Sequence, residues 1–132
     1  MKTVMIFGTF DILHPGHLNL FSQARRLGDQ LIVIIARDKN VTQIKGQKPV
    51  NNEKKRLREI KHFRNVDLAV LGSLEYPYKM IEQLRPDVIC LGYDQQSFTD
   101  NLEKELVKRN LLTKIVRLRP YKSSQYKSCK LK

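Results

Sequence analysis

What the chain lacks narrows its class first. No apolar run approaches the roughly 18 residues that a membrane span needs. The opening Met1-Lys2-Thr3-Val4-Met5-Ile6-Phe7 runs into Gly8 and Asp11 without the small-residue cleavage site of a secretory signal. A cytoplasmic protein without membrane contact is expected. Cysteine is scarce: Cys90 lies in the apolar run Val88-Ile89-Cys90-Leu91 and reads as a buried thiol, and Cys129 stands near the end of the sequence. Neither has ligand spacing or a neighbouring histidine, so neither a disulfide staple nor a metal site is indicated. Internal repeats and low-complexity linkers are absent too.

What is present is a globular balance, 41% hydrophobic and 29% charged over 132 residues. That length suits one compact α/β domain and is short for two, so a single domain over 1–132 is expected, with 119–132 as a tail contributing to the site. The net charge of +12 requires an anionic partner of some kind to be considered. Lys45, Lys48, Lys54, Lys55, Arg56, Arg58, Lys61 and Arg64 face only Glu53 and Glu59 in one region, and the remaining excess is C-terminal. Such regions suit a polyphosphate cleft or a nucleic-acid footprint. Against a nucleic-acid-binding module, Phe10, Phe63, Tyr76, Tyr78, Tyr93, Phe98, Tyr121 and Tyr126 form no compact aromatic-basic motif, and no zinc-finger or helix-turn-helix pattern occurs.

Strand and helix patterns alternate from end to end. Apolar strand candidates fall at 3–7, 31–36, 67–71, 87–91 and 114–118. Between them, Leu18, Phe21, Ala24 and Leu27 give a helical stripe, Asn51 or Asn52 can cap a helix over about 52–63 with Leu57 and Ile60 inward, and further helices are expected near 78–84 and 101–109. Arg37 to Val50 reads as a polar, basic loop. This alternation predicts a Rossmann-like, doubly wound α/β fold with a parallel five-stranded sheet, its ligands held beyond the carboxyl ends of the strands.

The chemistry-bearing segment follows the first strand: Gly8-Thr9-Phe10-Asp11, then His14-Pro15-Gly16-His17. It matches neither the G-x-G-x-x-G fingerprint nor a P-loop ending in Gly-Lys-Ser/Thr. It does offer backbone N–H groups at a strand end, a helix starting near His17, and two imidazoles three positions apart. A helix N-terminus seats phosphate, Gly16 leaves the approach open, and Pro15 restricts the backbone there. Two histidines so placed can donate hydrogen bonds to the oxygens of a transferring phosphorus and its leaving group.

These residues resemble the signature of the nucleotidyltransferase superfamily with an H-x-G-H motif, His14-Pro15-Gly16-His17, flanked by Gly-Thr-Phe-Asp and by Leu27-Gly28-Asp29. Within it the chain is most similar to the archaeal FAD synthases, which are FMN adenylyltransferases. That likeness rests on Ala36-Arg37-Asp38-Lys39-Asn40-Val41, Lys45-Gly46, Arg56, and Leu91-Gly92-Tyr93-Asp94-Gln95. Cytidylyltransferases acting on glycerol 3-phosphate or another small phosphorylated alcohol are the near alternative. The resemblance implies attack by an acceptor phosphate (FMN) on the α-phosphorus of ATP, with release of pyrophosphate. It gives catalytic roles to His14, His17 and Lys45, the last on a loop that Gly46 allows to move.

Nucleotide and acceptor contacts would come from Gly8, Thr9, Phe10, Asp11, Gly16, Arg37, Asp38, Arg56, Gly92, Asp94 and Ser128. Arg56 would hold phosphate in a forked contact. The resemblance further implies Mg2+ as the partner of ATP rather than a protein-held metal, and a homodimer. One departure stands out: the Ser/Thr-rich motif before a final helix is matched best by Lys127-Ser128-Cys129-Lys130-Leu131, with Cys129 where a hydroxyl is common, and Lys122-Ser123-Ser124 is a second candidate.

Overall fold

The computed structural model describes residues 1–74, 78–92 and 101–119; the side chains of residues 44 and 45 fall outside the description. Five strands, β1 (Thr3–Gly8), β2 (Gln30–Ile35), β3 (Leu68–Leu71), β4 (Val88–Leu91) and β5 (Lys114–Arg117), form one sheet in the order β3-β2-β1-β4-β5. Every pairing is parallel, with Met5 opposite Ile32 on one side and Ile89 on the other. Runs of β-branched residues suit this arrangement because both faces of the sheet are covered.

The period of two along each strand sorts the core into two layers. Val4, Ile6, Leu31, Val33, Ile35, Ala69, Val88 and Cys90 point to one face, which α1 (Pro15–Arg25) covers with Phe21 and Ala24, and α3 (Glu53–Ile60) with Ile60. Met5, Ile32, Ile34, Ile89 and Leu91 point to the other, beneath Ile81 of α4 (Lys79–Leu84) and Leu102 and Leu106 of α5 (Leu102–Lys108). Phe21 is wholly buried, so its truncation to alanine is expected to cost about 3–5 kcal/mol. Leu18 departs from the expected inward stripe and is 46% exposed, because the helix turns that position toward solvent.

Three aspartates seal the end of the sheet opposite the strand carboxyl termini. Asp29 accepts the Lys2 amide at 2.7 Å, Asp67 the Leu31 amide at 2.7 Å, and Asp87 the Thr3 amide at 2.8 Å. Each stands just before a strand and satisfies a backbone donor of the adjacent strand or its approach. The chain reverses strand order between β1 and β4, which opens a crevice at their carboxyl ends. The β1–α1 turn lies at that crevice.

One expected loop is helical. Residues 38–45 form α2 (Asp38–Lys45), buried at Val41 and stopped by Gly46, whose φ of 76° and N–H to the Thr42 carbonyl make a left-handed cap. Gly46 therefore ends a helix rather than loosening a loop, and Lys45 is the last helical residue.

Candidate active site

The β1–α1 turn is shaped by two contacts that only glycine permits. A Cβ on Gly8 would lie 2.5 Å from the Phe10 ring, and one on Gly16 would lie 2.7 Å from Cε1 of His14. Phe10 takes a left-handed backbone, φ 51°, and folds its ring into the core against Phe21, with centroids 5.3 Å apart. The hydrophobic gain from burying this ring offsets the strain of that backbone conformation. Among the described residues, the amides of Thr9 and Phe10 take no hydrogen-bond partner.

His14 is the N-cap of α1: its Nδ1 accepts the Gly16 amide at 3.0 Å, and its carbonyl accepts the His17 amide at 2.9 Å. The helix thus begins at Pro15, two residues before the expected start, because an imidazole fills the place usually taken by Ser or Asp. Accepting at Nδ1 leaves the proton of the neutral ring on Nε2. The His17 ring stacks on it, centroids 4.0 Å apart and planes inclined by 29°, and meets the edge of Phe10 at 5.5 Å. Burial, and then the neighbouring His14, push the His17 pKa down to about 4. His17 is therefore neutral near pH 7. Its Nδ1 is the one buried side-chain nitrogen or oxygen among the described residues that lacks a hydrogen-bond partner.

Arg56, for which the resemblance implies a forked phosphate contact, is completely buried. Its guanidinium donates to the carbonyls of Thr9 (2.9 Å), Ala36 (2.8 Å) and Asn51 (3.1 Å), and to the Asp38 carboxylate at 2.6 Å. One side chain thereby joins the loops after β1 and β2 and the start of α3. A planar five-donor group can serve carbonyls in several directions, which an ammonium cannot.

Asp38 and Glu53, the first residues of α2 and α3, cap each other's helices. The Glu53 carboxylate accepts the Asp38 amide at 2.8 Å, and the Asp38 carboxylate accepts the Glu53 amide at 3.1 Å. Burial raises both pKa values. For Asp38 this is more than offset by the Arg56 hydrogen bond, and for Glu53 by the Asp38 amide and Arg37, so both carboxyls are held below their ordinary range. Arg37 donates to Glu53 at 3.1 Å and to the Gly72 carbonyl at 3.4 Å. Asp11 accepts the amides of Val50 and Asn51, each at 2.7 Å, tying the turn to the segment before α3.

The structure thus gathers Gly8, Thr9, Phe10, Asp11, His14, Gly16 and His17 in one turn, with Arg37, Asp38 and Arg56 behind it as its support. Gly92 ends β4, its carbonyl accepting from Arg117 at 2.7 Å. Asp94, Ser128, Cys129 and the candidate Lys122-Ser123-Ser124 lie outside the described residues. Cys90 is a buried thiol, pushed up to about 12 by burial. No described group of three or more His, Cys, Asp or Glu side chains could hold a metal ion, and Asp11 and Asp38 are engaged by amides and Arg56. The described residues do not fit a protein-held Mg2+. Asn51 and Glu53 were missed as members of this support; the signal was an acid directly after a helix-capping asparagine in an otherwise basic stretch.

A parallel sheet ordered β3-β2-β1-β4-β5 brings the paired histidines of the first βα turn to the crevice at the strand carboxyl ends. The chain belongs to the cytidylyltransferase-like family, which it matches over residues 5–132. It is 46% identical over 124 residues to the FAD synthase of Aciduliprofundum boonei, covering 94% of this chain and 83% of that one. It is 50% identical over 118 residues to the FAD synthase of Methanosarcina mazei, covering 89% and 77%. Among solved structures, the lipopolysaccharide core biosynthesis protein of Thermoplasma volcanium superposes with a TM-score of 0.85 at 38% identity, over 92% of this chain and 98% of that one.

Proposed function

We propose that this chain is an FMN adenylyltransferase, transferring AMP from ATP to FMN to give FAD and pyrophosphate. The observation that carries the reading is the stack of His14 on His17 at the mouth of the β1–α1 turn, in a chain close to half identical to FAD synthases. A phosphate monoester is already nucleophilic near neutral pH, so the reaction needs no strong protein base. It needs two polyanions aligned and the growing charge on the α-phosphate and leaving pyrophosphate stabilised. The Nε2 side of His14, the His17 ring with its unmet hydrogen-bonding capacity, and the amides of Thr9 and Phe10 are tools for that task.

In this reading Lys45 bridges acceptor and donor phosphates. Asp94 meets the nucleoside sugar beside Gly92, and Ser128 donates to a phosphate. Arg56, Arg37, Asp38 and Asp11 act through the backbone they hold. Mg2+ arrives on the triphosphate, whose oxygens match its hard character. A homodimer in the cytoplasm completes the proposal; no described helix is long and apolar enough to cross a membrane.

The test is a matrix of ATP and CTP against FMN, glycerol 3-phosphate and pantetheine phosphate, reading pyrophosphate and the coupled product. FAD from ATP and FMN as the main product supports the reading. CDP-glycerol as the main product replaces it with a cytidylyltransferase, and salt-sensitive binding of mixed-sequence DNA without pyrophosphate release replaces it with a nucleic-acid-binding module.

A further inference from the structure

Beside the donor turn, between α2 and the segment before α3, lies an open groove of about 600 Å3. Asp38, Lys39, Gln43, Lys48, Pro49 and Val50 are among the residues that line it. Its volume lies in the range typical of sites for drug-sized ligands. We propose that this groove is the acceptor subsite, taking the flavin of FMN against Pro49 and Val50 under the positive field of Lys39 and Lys48; the proposal rests on the FMN adenylyltransferase reading.

Three observations carry it. First, the groove is attached to the catalytic turn from both sides. Val50 offers its amide to Asp11 at 2.7 Å, three residues before His14, and Asp38 is bound to Arg56, which holds the Thr9 carbonyl. An occupant is thus held by the same framework that sets the histidines, as in-line transfer between two bound substrates requires.

Second, the balance of charge in the groove is positive. The carboxylate of Asp38 is neutralised by Arg56, whereas Lys39 and Lys48 are exposed and have no ion-pair or hydrogen-bond partner among the described residues. An anionic ligand is favoured there over a neutral or cationic one. Third, Val50 is 77% exposed next to Pro49, leaving an apolar ledge in an otherwise polar wall. A flat ring needs such a ledge, and a small phosphorylated alcohol does not. The Gln43 amide carries both donors and an acceptor, the set that the imide edge of a flavin requires.

The experiment compares the parent with Val50→Asp and with Lys39→Ala/Lys48→Ala. It measures FMN binding by flavin fluorescence without ATP, and KM for FMN and ATP in FAD formation. All three side chains are exposed, so the fold tolerates the changes. Each variant is expected to weaken FMN binding and raise its KM by about tenfold or more, while KM for ATP changes by less than about threefold. FMN affinity within about twofold of the parent in both variants overturns the subsite while FAD synthesis by the parent upholds the wider reading. A parent that binds FMN in a groove-dependent way but makes no FAD upholds the subsite and overturns the reaction. A parent that neither binds FMN nor makes FAD overturns both.

Discussion

The imidazole of His14 caps the helix on which His17 sits, and the two rings stack 4.0 Å apart. One residue therefore serves the backbone through Nδ1 and is left to serve a ligand through Nε2. Replacing it by alanine removes both functions: turnover is expected to fall at least about 100-fold, and stability by about 1 kcal/mol from the lost cap. His14→Asn restores an acceptor for the Gly16 amide, so it should unfold near the parent's midpoint while remaining as inactive as the alanine variant. Parental turnover in the asparagine variant would remove His14 from the chemistry.

His17→Ala should lower turnover to a similar degree, and its pH behaviour is separable from catalysis. In the folded chain its pKa is about 4, against an ordinary value near 6.5. Between those values the unfolded chain binds more protons than the folded one. The contribution of the neutral ring to stability is thus fully present above about pH 6.5 and is lost as pH falls toward about 4. Urea midpoints measured across that window should decline more steeply for the parent than for His17→Gln. Parallel declines would show that the ring titrates normally.

Arg56 is expected to report on stability before catalysis. Arg56→Met leaves the Asp38 carboxylate and three carbonyls without their donor, a change of about 3–5 kcal/mol in unfolding free energy. Arg56→Lys recovers only part of it, because one ammonium cannot reach all four acceptors. Unfolding midpoints and kcat for both variants check this. A variant of parental stability with sharply reduced kcat would instead make Arg56 a phosphate contact.

Gly8 and Phe10 should behave as a coupled pair. Gly8→Ala pushes a methyl into the Phe10 ring and is expected to destabilise by about 1–3 kcal/mol. Phe10→Leu shortens the offending ring, so the double variant should lose less than the sum of the two single changes. Strict additivity in urea unfolding would show that the close approach relaxes elsewhere. Gly16→Ala meets the His14 ring instead, and should depress turnover more than stability.

The layered fold was legible because its signals are local and repeated. Five apolar runs, each bounded by turn residues, become five parallel strands, and Asn52 caps α3 by accepting the Lys55 amide. The paired histidines were legible because their spacing puts both at one helix start. α2 was hidden: its sequence, Asp38 to Lys45, is mostly polar, and the cap on its first turn comes from Glu53, fifteen positions away. The burial of Arg56 was hidden for the same reason. A basic residue in a basic stretch looks solvated, and nothing local reveals that three backbone carbonyls and Asp38 converge on it. The partners of Asp11, the amides of Val50 and Asn51, are likewise set by tertiary structure.

The chain has three histidines, and the third, His62, is exposed just beyond α3. Imidazole resonances followed by NMR during titration with a non-hydrolysable ATP analogue and Mg2+ therefore test the triphosphate site directly. Saturable shifts at His14 and His17, with His62 unmoved, are the predicted result. Unchanged His14 and His17 signals at saturating nucleotide, or shifts confined to His62, would contradict it.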